Sequence, residues 1–221
     1  MKCSFLAVLI AALALVAKTA SADIIRCDFD SAAGASIKFT GAGNKIEFPS
    51  TSTYDFVINT ATSPNLGGFQ GNIGGTFIVE TITAAGGVEQ ASVTTANGAF
   101  SVYDGSSNTL TAKLDWKDIL VINKLIGGMN VTGITNLSDI HYTGGNSSLQ
   151  QIRDGVDQAV VLSFQFSRLT KKSLTELMAD GQMNSTSYSG SLSSAPEPSS
   201  CVLLGMAALG LLSYAWRRRR S

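Results

Sequence analysis

The central region of this 221-residue chain is predicted to be all-β, an antiparallel β-sandwich of jelly-roll type, with a barrel as the alternative closure. Three observations carry the expectation. Apolar and polar residues alternate with period two in several segments, turn-forming Gly, Ser, Thr and Asn recur between those segments, and the segments are short and number about nine or ten.

The clearest unit is Ala99 to Lys117. Phe100 and Val102 alternate with Ser101 and Tyr103, a loop Asp104-Gly105-Ser106-Ser107-Asn108 follows, and Leu110, Ala112, Leu114 and Trp116 then alternate with Thr111, Lys113, Asp115 and Lys117. One apolar and one polar side per strand describes a half-buried antiparallel hairpin. Val160, Leu162, Phe164 and Phe166 against Val161, Ser163, Gln165 and Ser167 repeat the pattern, and Thr76 to Thr83 shows it less cleanly. Further strands are expected at Ile24 to Phe29, Ser36 to Phe39, Lys45 to Phe48, Tyr54 to Asn59, Val88 to Thr94 and Ile134 to Tyr142. The apolar run Asp118 to Gly128 suits a strand or a helix, and β-branched Ile119, Val121 and Ile122 favour strand. One short helix is expected near 173–180: Ser173 with Glu176 forms a capping box, Leu174, Leu177 and Met178 share a face, and Gly181 stops it.

Both ends depart from this pattern. At the start, Lys2 precedes an apolar run from Phe5 to Ala17 and then Ala20-Ser21-Ala22. A positive charge, an apolar stretch and small residues at the A-x-A positions describe a secretory signal peptide cleaved after Ala22. Residues 23–194 then form one exported domain, large enough to bury a core without metal or disulfide. Lys2, Lys18, the four terminal arginines and Glu197 lie outside it, so the 16 basic and 16 acidic residues of the chain become 10 against 15. That mild acidity argues against a nucleic-acid partner, which needs a basic stripe. Of three cysteines, Cys3 leaves with the signal and Cys201 falls in the apolar tail, which leaves Cys27 unpaired, a packed strand residue or free surface thiol.

At the other end, Pro196-Glu197-Pro198 is followed by an apolar stretch from Cys201 to Trp216 and by Arg217, Arg218, Arg219 and Arg220. The prolines hold the tripeptide extended. The sixteen apolar residues, at about 1.5 Å each, give roughly 24 Å, a minimal single transmembrane helix. Interfacial Tyr214 and Trp216 and the arginines favour a cytoplasmic terminus. The Ser-rich stretch Ser185 to Ser194 reads as a flexible stalk before the tag, with a last β-strand as the alternative because Tyr188 and Leu192 can both face a core.

In this order and spacing, the parts of the tail resemble the PEP-CTERM sorting domain of bacterial surface proteins; the resemblance covers Pro196 to Ser221. It implies a membrane-embedded exosortase as partner, Pro196, Glu197 and Pro198 as recognition residues, Cys201 to Trp216 as membrane segment and Arg217 to Arg220 as stop signal. It also implies transit through the inner membrane to the cell surface or extracellular matrix, in the company of exopolysaccharide.

The central region shows little chemistry. The single histidine, His141, has only Asp139 beside it and no metal-ligand spacing. No nucleophile elbow, phosphate loop or H-E-x-x-H is present. Asp28 and Asp30 share a strand face, and Asp154 and Asp157 sit in a turn too poor in oxygen ligands for calcium. Asn130, Asn136, Asn146 and Asn184 begin N-glycosylation triplets and read as polar surface. The expectation is a non-enzymatic structural or adhesive surface protein, without cofactor or metal. Alternatives are a carbohydrate-binding module using Tyr54, Tyr103, Trp116, Tyr142 or Tyr188, and a carboxylate-dependent glycoside hydrolase.

Overall fold

The structure is a computed structural model and describes residues 24–63, 65–122, 130–164 and 172–195. Its strands are β1 (Ile25–Ser31), β2 (Ile37–Thr40), β3 (Lys45–Glu47), β4 (Phe56–Ala61), β5 (Gln70–Val79), β6 (Thr83–Ala85) and β7 (Val88–Tyr103). They continue with β8 (Thr109–Ile122), β9 (Asn130–His141), β10 (Val156–Phe164), β11 (Met183–Thr186) and β12 (Tyr188–Ala195). Helix α1 (Ser147–Asp154) joins β9 to β10, and α2 (Leu174–Leu177) precedes β11.

The expected sandwich is corrected to a closed, eight-stranded antiparallel barrel. Going round, the strands are β1, β12, β10, β9, β8, β7, β5 and β4, which returns to β1. Strand β5 closes the ring, because it pairs with β7 along one edge and with β4 near the start of the other. The physical reason is curvature. Register shifts between Gly74 and Thr76, Ser92 and Ala99, Trp116 and Asp118, and Asp28 and Phe29 each bend a strand and add twist, so a sheet with long β7 and β8 curls onto itself instead of splitting in two.

One of these shifts explains a misread boundary. Polar Thr95 to Gly98 looks like a break between two strands, yet β7 runs through it for 16 residues. Asn97 takes the left-handed conformation there, at φ 55°. The Thr95 hydroxyl replaces ladder bonds by accepting from the Trp116 amide at 2.9 Å and donating to the Trp116 carbonyl at 3.3 Å.

Alternate residues of every barrel strand face inward and fill it. Phe29, Phe56 and Phe100 form one aromatic group, with Phe56 stacked on Phe100 at 5.3 Å between centroids. Phe77 packs edge-on against Trp116 at 5.2 Å, and Phe48 touches Phe77, Trp116 and Tyr188. Room for the largest rings comes from inward glycines on neighbouring strands: Gly71 faces Phe56, Gly190 faces Phe29, and Gly133 faces Trp116, each with the ring where a Cβ would stand. Such pairing of large with small residues is how a small barrel is filled. Outward positions carry Arg26, Asp28, Lys113, Asp115, Lys117 and a row of serines, the reverse of a lipid-spanning barrel.

Beyond the barrel, β3, β2 and β11 extend the far half of β5. Ile37, Phe39 and Ile46 are fully buried there, as are Leu174 and Leu177 of α2. The expected capping box forms: Ser173 accepts from the Glu176 amide, and the Glu176 carboxylate accepts from the Ser173 amide at 2.7 Å. Helix α1 was not anticipated, although Asn146 is a good N-cap and Leu149 and Ile152 recur at helical spacing.

The Ser-rich stretch is not a stalk. Residues 188–195 form β12, held between β1 and β10, with Tyr188 and Leu192 buried. Among the described residues no helix is long and apolar enough to cross a membrane; the apolar segment Cys201 to Trp216, expected as a single transmembrane helix, lies outside them. Residues 24–195 form one compact unit.

Candidate functional site at the end of the last strand

Strand β12 delivers the chain to the tail. Its last residues are held on both edges, Ser194 opposite Ile25 of β1 and Ala195 opposite Val156 of β10. Ser194 is 3% exposed, and strand pairing extends to Ala195, the residue before Pro196.

The barrel end around this exit is built from four segments. Thr62, just after β4, donates its amide to the Arg26 carbonyl at 2.8 Å, and its hydroxyl accepts from the Arg26 amide at 3.0 Å. Leu66 from the following loop and Leu149 and Ile152 of α1 are fully buried and join the core. Asn146 caps α1 by accepting from the Ser148 and Leu149 amides, and its side-chain amide donates to the Asn65 carbonyl at 3.3 Å. The Tyr142 hydroxyl donates to Asp104 at 2.9 Å and accepts from the Asn146 amide at 3.1 Å. Asp104 also accepts from the Ser106 and Asn108 amides, and these bonds hold its carboxyl below the usual range against the opposing effect of desolvation. Arg153 reaches from α1 to the Tyr142 carbonyl at 2.8 Å and pairs with Asp154. The end is a hydrogen-bonded, plugged surface.

Elsewhere the candidate residues are spread apart. Asp28 accepts from Arg26 and Thr60, and Asp30 accepts from Asn59, all on the outer wall. Asp115 is paired with Lys117, Asp139 with Lys113 and Asp154 with Arg153. Among the described residues no three His, Cys, Asp or Glu side chains gather as a metal site. Cys27 is buried, and desolvation pushes its thiol up to about 12. Of the five rings considered for sugar stacking, Trp116, Tyr142 and Tyr188 are buried; Tyr54 and Tyr103 are half-exposed and stack on each other at 5.9 Å and 17°. One buried carboxylate escaped the sequence reading. Asp55, 8% exposed, accepts from the Ile73 amide at 2.8 Å, and burial raises its pKa. The signal-cleavage residue Ala22, the tag Pro196, Glu197 and Pro198, and Arg217, Arg218, Arg219 and Arg220 lie outside the described residues.

The fold thus defines a class: a filled β-barrel with a polar outer wall, whose last strand is followed in sequence by the tail. Within this class the tail is specific. Residues 194–220 match the PEP-CTERM protein-sorting motif, which makes the chain an exported protein sorted to the cell surface by an exosortase, a membrane enzyme. Comparison with curated proteins and with solved structures finds no match.

Proposed function

We propose that the barrel is a non-enzymatic structural or adhesive component of the cell surface or extracellular matrix, delivered by its tail and associated with exopolysaccharide. The filled interior supports this reading. Phe29, Phe56, Phe77, Phe100 and Trp116 occupy the space in which barrels of this size hold a small ligand, so contacts with partners fall to the outer wall and the ends. The test is sedimentation of the mature protein with exopolysaccharide from its own host. Co-sedimentation is expected, and a protein that stays in the supernatant over all polysaccharide concentrations sinks the association.

A second reading, a carbohydrate-binding module, is favoured by Tyr54 and Tyr103. They are the two rings among those five that are not buried, and they lie side by side, stacked at 5.9 Å, where the outward face of either can meet a sugar ring. Replacing both with Ala should abolish saturable sugar binding under this reading and leave co-sedimentation unchanged under the first.

Sorting itself is tested at the tag. Pro196→Ala with Pro198→Ala removes the extended bias of the tripeptide. The variant should stay unprocessed in a host that carries the sorting enzyme, while the wild type is shortened. Intact mass decides, and a wild-type species still ending at Ser221 removes the processing step.

A further inference from the structure

The described chain leaves no spacer between barrel and tag. Ala195 is still paired with Val156 of β10, and the next residue is Pro196. A chain advances at most about 3.3–3.6 Å per residue, so the far side of Pro198 lies within roughly 11 Å of Ala195. A single helix with its side chains is about 10–12 Å across. Any protein wall enclosing the tag therefore reaches the barrel end.

What it meets there is a prepared surface. Ile24 is 62% exposed beside the start of β1, one of few large apolar side chains left open among the described residues. It rims the exit of β12 on one side, and Asp154 and Gly155 rim it on the other, where α1 hands over to β10. Thr62 stands next to Arg26, and Leu66, Leu149 and Ile152 support the surface from beneath. A face held this firmly loses little freedom on contact.

Resting on the sorting reading above, we propose that this barrel end docks on the sorting enzyme, so that the enzyme recognises the tag together with the folded surface from which it emerges. The occupant is the outward face of that membrane enzyme, with an apolar depression for Ile24 and polar groups for Thr62 and Asp154. Cleavage remains ordinary amide chemistry. The C–N bond breaks, the carbonyl carbon takes an oxygen from water or a nitrogen from an acceptor amine, and the released nitrogen takes the proton.

The experiment uses the full-length chain in a host that carries the sorting enzyme. An eight-residue Gly/Ser insertion between Ala195 and Pro196, with ends about 15 Å apart on average, separates tag from barrel while both remain intact. Processing, followed by pulse-chase and intact mass, should slow about tenfold, as expected when a preorganised contact is lost. Ile24→Asp should slow it comparably, and should add nothing in the inserted chain, because the docked face is already withdrawn. Intact mass reads both ends, so altered signal cleavage is seen separately, and the thermal melt of each variant reports folding.

An insertion variant processed at the wild-type rate or faster overturns the proposal and leaves the sorting reading standing. A wild type that is never shortened removes both. If Ile24→Asp lowers membrane retention equally in a host lacking the enzyme, the occupant is lipid and the proposal falls.

Discussion

Phe29 and Gly190 stand opposite each other on β1 and β12, and the phenyl ring occupies the space where a Cβ at position 190 would be. Phe56 with Gly71 repeats the relationship, and the Trp116 ring likewise fills the Cβ space of Gly133, two residues along β9 from its register partner Thr135. Together they set how tightly the barrel wall can curve around its aromatic filling.

Gly190→Val should therefore cost stability on the scale of core overpacking, about 1–3 kcal/mol. Gly67 is the control, since nothing lies within 4 Å of a Cβ built there. Gly67→Ala should leave the urea midpoint unchanged or raise it slightly. Equal midpoints for the two variants would disprove the packing account.

The bulge in β7 depends on one hydroxyl. Thr95→Val keeps the shape and leaves the Trp116 amide without its partner, a loss of about 1–3 kcal/mol. Thr95→Ser keeps the hydroxyl and should recover most of it. Chemical denaturation of both variants tests this, and a Val variant as stable as wild type would show the bulge to be held by packing alone.

Asp55 gives stability an acid-side dependence. Its folded pKa lies above the ordinary value because burial disfavours the charge, so the advantage of the neutral form is fully present below the ordinary pKa and is lost as pH rises through the folded one. Asp55→Asn keeps an oxygen for the Ile73 amide and removes the charge. It should match or exceed wild type at pH 7, with the difference shrinking toward pH 4, whereas Asp55→Ala should lose about 1–3 kcal/mol by stranding that amide. Melts over this pH range decide it; a gap between Asn and wild type that widens on acidification would reverse the sign.

Cys27 should be silent toward thiol reagents at pH 8 in the folded barrel and react once denaturant opens it. Its thiol is pushed up to about 12, so the folded chain keeps a proton that the unfolded chain gives up above about 8.5. Its contribution to stability is complete below that lower value and is lost as pH rises toward the folded one. Rapid labelling without denaturant would show that β1 opens locally.

The strand content was legible because alternation is local. Ala99–Tyr103 and Thr109–Lys113 pair as the sequence predicts, and the capping box at Ser173 is a short-range pattern. Closure was not legible, because it depends on whether β5 finds β4 as well as β7, a matter of summed curvature at shifts such as that between Ser92 and Ala99. The serines of β12 concealed a strand in the same way. Ser189, Ser191 and Ser193 face outward, and the inward positions include Gly190 and Ser194, so Tyr188 and Leu192 alone carry the apolar signal. Asp55 was missed because a lone carboxylate before a strand has no sequence mark of burial; its donor, Ile73, comes from another strand.

The first and last barrel strands are neighbours, β1 beside β12, and this fixes a timetable for folding. A chain that crosses a membrane from its N-terminus delivers β1 first and must leave its edge waiting until almost the whole chain has followed. Every other wall of the barrel can assemble beforehand, but the seam cannot close. When β12 arrives and zips between β1 and β10, the residue behind it is the first of the tag. Closing the barrel thus waits on the strand that immediately precedes the tag in sequence.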